Sequence, residues 1–177
     1  MNKLILLDRD GVINFDSHGY VKTAAEWVAI PGALAGIARL TEAGYLLGIC
    51  SNQSGVGRGL ITQSSLAHIE QKMMRAVQEA GGSIHSILYC EHRPSEACAC
   101  RKPKPGMLLS AMAELRAKPE DTLFIGDSLS DIQAAKAAGC SAALVRTGNG
   151  RRTERQISRS CSIRIANDLY QLSEDLT

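Results

Sequence analysis

Two carboxylates one residue apart, Asp8 and Asp10, end a short apolar run in the stretch KLILLDRDGVIN. Leu4 to Leu7 is the length of one buried strand, and a strand inside a sheet has no use for such a pair. At the carboxyl end of a parallel strand, where open α/β sheets bind ligands, the pair makes a site. One carboxylate can attack an electrophile while the other handles protons, with a divalent cation offsetting their repulsion. Taken alone, Asp8-Arg9-Asp10-Gly11 reads equally well as an acidic turn capping a strand.

A second cluster is Cys90-Glu91-His92 followed by Cys98-Ala99-Cys100, three thiols and an imidazole within eleven residues. Thiolates with imidazole suit a tetrahedral Zn²⁺, and four protein ligands leave no open position, so the site is expected to be structural. Cys98 and Cys100 are too close along the chain to bridge easily to each other. Arg101-Lys102-Pro103-Lys104-Pro105-Gly106 comes next. Its two prolines forbid helix, so Arg101 and Lys102 sit on a stiff backbone anchored by the zinc clip.

The elements that must position these groups follow from the apolar pattern. Strands are expected over Leu4–Leu7, Tyr45–Cys50, Ile84–Cys90, Asp121–Ile125 and Ser141–Val145, alternating with helices. One helix opens at Pro31-Gly32 and ends at Gly44, with Leu34, Ile37, Ala38 and Leu40 on its apolar side. Thr62 is the N-cap of another, which turns Leu66, Ile69, Met73 and Val77 inward and stops at Gly81-Gly82. A helix runs from about residue 107 to residue 116, and one with Ile132 and Ala135 inward ends at Gly139. Asp131 reads as an early-turn carboxylate favoured by the helix dipole. A short strand and helix close the chain between Ile163 and Thr177.

Four strand ends run into polar chemistry: Asp8/Asp10, Ser51/Asn52 in the Gly-rich SNQSGVGRG, the Lys102 loop, and Asp127 in GDSLSD. Ser51-to-Gly59 and Thr147-to-Arg152 read as loops whose N–H groups suit an anion, a weak signal for each alone. Phe15 to Trp27 is a long loop on the same side, with Asp16, Ser17, His18, Gly19 and Tyr20 in reach of a substrate. Arg146 to Arg164 holds six Arg and one acidic residue, either a solvated basic surface or an anchor for a second phosphate. Gathered on one sheet edge, these groups describe metal-assisted phosphoryl transfer to a carboxylate.

Composition excludes several alternatives. The 177 residues suffice for one domain with a sizeable core. Lys+Arg 20 against Asp+Glu 18 points to neither nucleic acid nor membrane, and seven aromatic residues are too few for a base-stacking platform. The apolar runs are far below membrane-spanning length, and Asp8 comes too soon for a signal peptide. A cytoplasmic setting is expected, in which six Cys serve as metal ligands or buried thiols rather than disulfides.

DRDGVIN, SNQSG, a Lys between prolines and GDSLSD resemble, in order and over the whole chain, the four motifs of the haloacid-dehalogenase-like phosphatases. Within that superfamily the Cys-x-His…Cys-x-Cys loop, RKPKPGM and SNQSGVGRG most resemble the heptose-bisphosphate phosphatases of nucleotide-activated heptose biosynthesis. The histidinol-phosphate phosphatase family is the sibling that shares the zinc loop. The resemblance implies an α/β, Rossmann-like three-layer sandwich with a central parallel sheet, capless, in a single domain over residues 1–177 with the zinc loop at 90–100. It implies an aspartyl-phosphate route with Asp8 as nucleophile and Asp10 as acid and then base. Mg²⁺ would be held by Asp8, the Asp10 carbonyl and Asp127, and Zn²⁺ by Cys90, His92, Cys98 and Cys100. Ser51 and Lys102 would stabilise the phosphoryl group. Arg101, residues 16–20, Asn52, Gln53, Ser54 and Ser128 would meet a small phosphorylated sugar, in a monomeric enzyme. Glu91 stands where the family usually has Pro, Ser51 replaces a commoner Thr, and Ser128 replaces a frequent basic residue. Activity on histidinol phosphate or on nucleic-acid 3′ ends, or a zinc-clipped binding module without chemistry, are the alternatives.

Overall fold

The alternation inside Leu4–Leu7 sets the layering. Successive side chains of a strand point to opposite faces, and here all four are buried. Ile5 and Leu7 join one apolar cluster with Ile37, Leu40, Ile69, Met73, Val77 and Leu172. Leu4 and Leu6 join another with Met107, Leu108, Ala111, Phe124 and Ala135. A strand apolar on both faces belongs in the middle of a parallel sheet covered by helices.

The computed structural model describes residues 3–17, 19–157 and 163–177. Its elements run β1 (Leu4–Leu7), α1 (Ala33–Glu42), β2 (Leu46–Asn52), α2 (Ser54–Gly57), α3 (Gln63–Glu79), β3 (Ser86–Cys90), α4 (Gly106–Glu114), β4 (Thr122–Gly126), α5 (Leu129–Ala138), β5 (Ser141–Val145), α6 (Gly150–Gln156), β6 (Arg164–Ala166) and α7 (Leu169–Leu176). All six strands are parallel, in the order β3-β2-β1-β4-β5-β6. Helices α1, α3 and α7 cover one face; α4 and α5 cover the other. The expected three-layer α/β sandwich is the observed one.

This strand order reverses direction beside β1, and ligands of doubly wound sheets bind outside the carboxyl ends at that switch point. Leu7 pairs with Ile125, and the Asp8 amide donates to the Ile125 carbonyl at 2.9 Å. The residues after β1 and β4 therefore emerge side by side.

Local expectations hold closely in the helices. Thr62 caps α3, its side chain accepting from the Ser65 amide, and Leu66, Ile69, Met73 and Val77 are the buried residues. Two loops differ from the sequence reading. β2 continues through Ser51 to Asn52, and Ser54–Gly57 forms one helical turn where a loop is expected. The turn after β5 becomes helical at Gly150.

Two substitutions test the packing. Leu6→Ala opens a cavity under a fully buried side chain and should cost about 2–5 kcal/mol. Thr62→Ala removes one cap and should cost about 1 kcal/mol. Urea unfolding of each variant measures both, and the reverse ranking would contradict the core assignment.

Candidate active site

Asp8 and Lys102 are its centre. Lys102 is buried, its ammonium 2.8 Å from Asp8 Oδ2 and 2.6 Å from Asp131 Oδ1. It lies 5.2 Å from the centroid of the Phe124 ring. Burial opposes its charge, but Asp131 and then Asp8 outweigh that, holding the proton above the usual lysine range. Asp8 Oδ1 accepts the Arg9 amide at 2.7 Å. Burial raises Asp8 against the pull of Lys102, to about 6, so at neutral pH it is predominantly the carboxylate a nucleophile must be.

Asp131 sits in the first turn of α5, as expected, but does more than meet the helix end. It is buried, and besides Lys102 it accepts from the Ser128 amide (2.9 Å), the Ser128 hydroxyl (2.6 Å) and the Asp127 amide (3.2 Å). Its spacing of four from Asp127 in GDSLSD was the available signal for this second role.

Asp10 stands in a cage of donors. Its Oδ1 accepts from Asn14 Nδ2 at 2.8 Å and Arg9 Nη2 at 3.0 Å, and its Oδ2 accepts from Gln53 Nε2 at 2.7 Å. Asn14 is oriented in turn by the indole N–H of Trp27 at 3.0 Å. Arg9, fully buried, has its guanidinium 5.8 Å from the Tyr89 ring centroid. Nothing in the residue pattern shows that an Arg flanked by two acids would turn inward.

Asp127 is gripped from the far side. Its Oδ2 accepts from the Asn149 amide at 2.7 Å and side chain at 3.2 Å, and its carbonyl accepts from Thr153 at 2.8 Å. Gly11 and Gly148 both have positive φ, and a Cβ on either would collide with the Asp127 carboxylate. Burial, reinforced by Asp8, pushes Asp127 up to about 8 despite the Asn149 donors.

One cleft of about 400 Å³ is lined by Asp8, Asp10, Asp16, Ser17, Tyr20, Ser51, Asn52, Arg101, Lys102, Asp127, Ser128, Ser130 and Asn149. Of the sequence candidates, Gln53 and Ser54 sit just behind the lining, both buried. Gly19 is placed beside it in the 15–27 loop, and His18 lies outside the described residues. Asn52 exchanges two hydrogen bonds with the Lys102 backbone, each 3.1 Å, so its amide latches the Lys102 loop. No arginine of 146–164 among the described residues lines the cleft. Arg146 is paired with Glu154 at 2.8 Å instead.

The four expected zinc ligands converge. Cys100 Sγ lies 3.2 Å from Cys90 Sγ, 3.4 Å from Cys98 Sγ and 3.2 Å from His92 Nδ1. Cys90 Sγ is 3.6 Å from both Cys98 Sγ and His92 Nδ1. A tetrahedron with Zn–S of about 2.3 Å and Zn–N of about 2.0 Å has edges of about 3.5–3.8 Å, close to this set. The donors fit the ion. Glu91, in the usual place of a Pro, is fastened outside the cluster: Gln63 donates to its carboxylate and the Gly57 amide to its carbonyl at 3.1 Å.

Magnesium also finds a suitable donor set. Ligand atoms of Asp8, Asp127 and Asp131 lie within 4.8 Å of one another. Asp131 is consumed by Lys102 and its capping donors, which leaves Asp8 and Asp127 as the oxygens for a hard cation.

Comparison with known proteins gives this geometry its context. A family model described as HAD-hydrolase-like matches residues 99–172. The D-glycero-beta-D-manno-heptose-1,7-bisphosphate 7-phosphatase of Bordetella bronchiseptica is 45% identical, with 98% of this chain and 97% of that one aligned. The chain belongs to this phosphatase family. The enzyme of the same name from Pseudomonas putida is 46% identical over 85% of this chain and 86% of its own. The B. bronchiseptica crystal structure, complexed with magnesium and phosphate, superposes with a TM-score of 0.95 over 98% of this chain and 97% of that chain. The family's Burkholderia thailandensis structure gives 0.77 at 37% identity, covering 99% and 98%.

A pH-dependent response to magnesium follows. Asp8 and Asp127 have raised values in the folded chain without a cation. Their contribution to stability is present below the unfolded carboxylate value and is lost as pH rises through about 6 and about 8. A cation binds the deprotonated pair, so its stabilisation grows over the same interval. The rise in melting temperature on adding Mg²⁺ should be larger at about pH 8.5 than at about pH 5.5. An equal rise at both would contradict the assignment.

Proposed function

We propose that this chain is a Mg²⁺-dependent phosphatase that removes the 7-phosphate of D-glycero-D-manno-heptose 1,7-bisphosphate through an aspartyl-phosphate. The observation that carries the proposal is the Asp8 carboxylate in an open cleft, ion-paired to the buried Lys102, in a chain 45% identical over nearly its whole length to an enzyme of that name. One domain over residues 1–177 would carry the whole reaction.

Asp8 attacks phosphorus in line, and the bond from phosphorus to the sugar oxygen breaks. Asp10 donates its proton to that departing oxygen. It then takes a proton from the water that attacks the aspartyl-phosphate, releasing inorganic phosphate and restoring Asp8. Lys102 and Ser51 donate to the phosphoryl oxygens, where charge accumulates in the transition state. Asp8, the Asp10 carbonyl and Asp127 would hold Mg²⁺, which would supply charge neutralisation between the anionic ester and its anionic nucleophile. Asp16, Ser17, Gly19, Tyr20, Arg101 and Ser128 are the groups left to meet the sugar and its second phosphate.

Cys90, His92, Cys98 and Cys100 would hold Zn²⁺ as a structural ion that fixes Arg101 and Lys102. Lys104 supports the same loop, donating to the carbonyls of Ala97 at 2.6 Å and Cys98 at 2.9 Å.

Asp8→Asn should lower phosphate release by at least about 1,000-fold, with zinc content unchanged by metal analysis. A near-normal rate would rule out the covalent route. Across a panel of heptose 1,7-bisphosphate, histidinol phosphate and an oligonucleotide 3′-phosphate, the heptose should be hydrolysed fastest. Equal or faster release from histidinol phosphate would move the chain to that activity. Removing zinc with a thiol-competent chelator in excess Mg²⁺ should lower the melting temperature and the activity together; an unchanged melt would contradict a structural ion.

A further inference from the structure

Gln53 is buried behind Ser51 and Asp10, and its amide is held in one orientation by groups of opposite character. A guanidinium can only donate, so the atom of the amide that faces it must be the oxygen. Arg9 Nη2 lies 3.0 Å from Gln53 Oε1, and Asp10 Oδ2 lies 2.7 Å from Gln53 Nε2. Flipping the amide would set an N–H against the guanidinium, so Arg9 fixes the orientation whichever protonation state Asp10 has during the cycle.

The same Nε2 lies 3.1 Å from Ser51 Oγ. That amide nitrogen carries two hydrogens and accepts none, so one goes to Asp10 and the other to Ser51. Ser51 Oγ has no other hydrogen-bond partner among the described residues, and it lines the cleft. With Gln53 donating to its oxygen, the Ser51 hydrogen cannot point backward into the protein. The cleft is where an acceptor can meet it.

We propose that Gln53 is a positioning residue for the phosphatase reaction. Held between Arg9 and Asp10, it occupies the acceptor side of Ser51 Oγ and turns the Ser51 hydrogen toward the phosphoryl group. This inference rests on the phosphatase reading given above. It makes Ser51 a pre-aimed donor, which costs no reorientation as charge builds on the phosphoryl oxygens. Arg9 is the anchor of the chain Arg9–Gln53–Ser51, with Asp10 as its side branch.

Gln53→Glu and Gln53→Met separate this role from simple packing. The Glu side chain is nearly isosteric and keeps an oxygen for Arg9, but the atom facing Ser51 becomes an acceptor that captures the hydrogen. Met cannot accept it well and leaves Ser51 free to donate. In hydrolysis of heptose 1,7-bisphosphate, kcat should fall by about 100-fold or more in Gln53→Glu and by about 10-fold in Gln53→Met. The Glu oxygen also meets Asp10 Oδ2, so the loss in Gln53→Glu supports the inference only where it shrinks in a Ser51→Ala background. Glu at or above Met in the wild-type background overturns the inference. The Mg²⁺ midpoint for activation should stay within about twofold in Gln53→Met, because Gln53 meets the Asp10 side chain rather than its carbonyl and touches neither Asp8 nor Asp127; a larger shift also overturns it.

Thermal melts establish that each variant is folded. If Gln53→Glu does not fold, a double-mutant cycle carries the test. In a Ser51→Ala background, Gln53→Met should cost at least about threefold less than in wild type, and an equal cost in both backgrounds overturns the inference. The wild-type enzyme runs in the same assay. Inert wild type overturns the phosphatase reading and this inference with it, whereas active wild type with the wrong variant order overturns only the role of Gln53.

Discussion

A buried ammonium holds the site together. Lys102 brings its charge between Asp8 and Asp131, which would otherwise repel one another. Neither side is tolerable alone: removing one partner of a buried ion pair typically costs about 3–5 kcal/mol, because the other is left uncompensated. Much of the remaining structure exists to deliver this one side chain. The strand order sets Asp8 and Asp127 side by side, Asn52 latches the Lys102 backbone, and the thiol–imidazole cluster ends the excursion two residues before it. Asp131 belongs with them as the counter-charge that lets the ammonium serve Asp8 without being neutralised by it alone.

The division of labour among the carboxylates follows from what each one touches. Asp131 spends its oxygens on protein donors, Asp8 keeps its exposure to the cleft, and Asp10 is surrounded by side-chain donors that orient it. Chemically identical groups thus acquire separate tasks from their neighbours alone. The tryptophan contributes at one remove, by orienting the Asn14 amide that meets Asp10.

The strands, helices and charged tips were legible in the chain because period and punctuation encode them locally. Leu66, Ile69, Met73 and Val77 at helical spacing behind Thr62 are enough to draw α3 with its buried face. The thiol–imidazole cluster was equally readable, since its four ligands lie close in sequence. The positioning network was not. Arg9 with Gln53, Asn14 with Trp27 and Asn149 with Asp127 are contacts between distant segments, and each residue on its own has ordinary loop chemistry. Asn52 and Gln53 look like substrate contacts in sequence because they follow a strand tip. Folded, Asn52 lines the cleft while its amide latches the Lys102 backbone, and Gln53 is buried behind the lining. For the Arg-rich segment composition carries no direction, and in the fold Arg146 faces Glu154.

The two ends of the cleft are made of different material. Around Asp127, beside the Asn149 amide, the walls are main chain: Gly11 and Gly148 approach with no side chains between them. Around Asp10 the walls are the ends of Arg9, Asn14 and Gln53. A wall of backbone offers no graded alternative, since the smallest addition there strikes the carboxylate. A wall of side chains can be exchanged one functional group at a time while the fold stays as it is. Adaptation of this scaffold to a new leaving group therefore has a preferred side from which to begin: proton delivery can be retuned stepwise, while the cation end must be inherited whole.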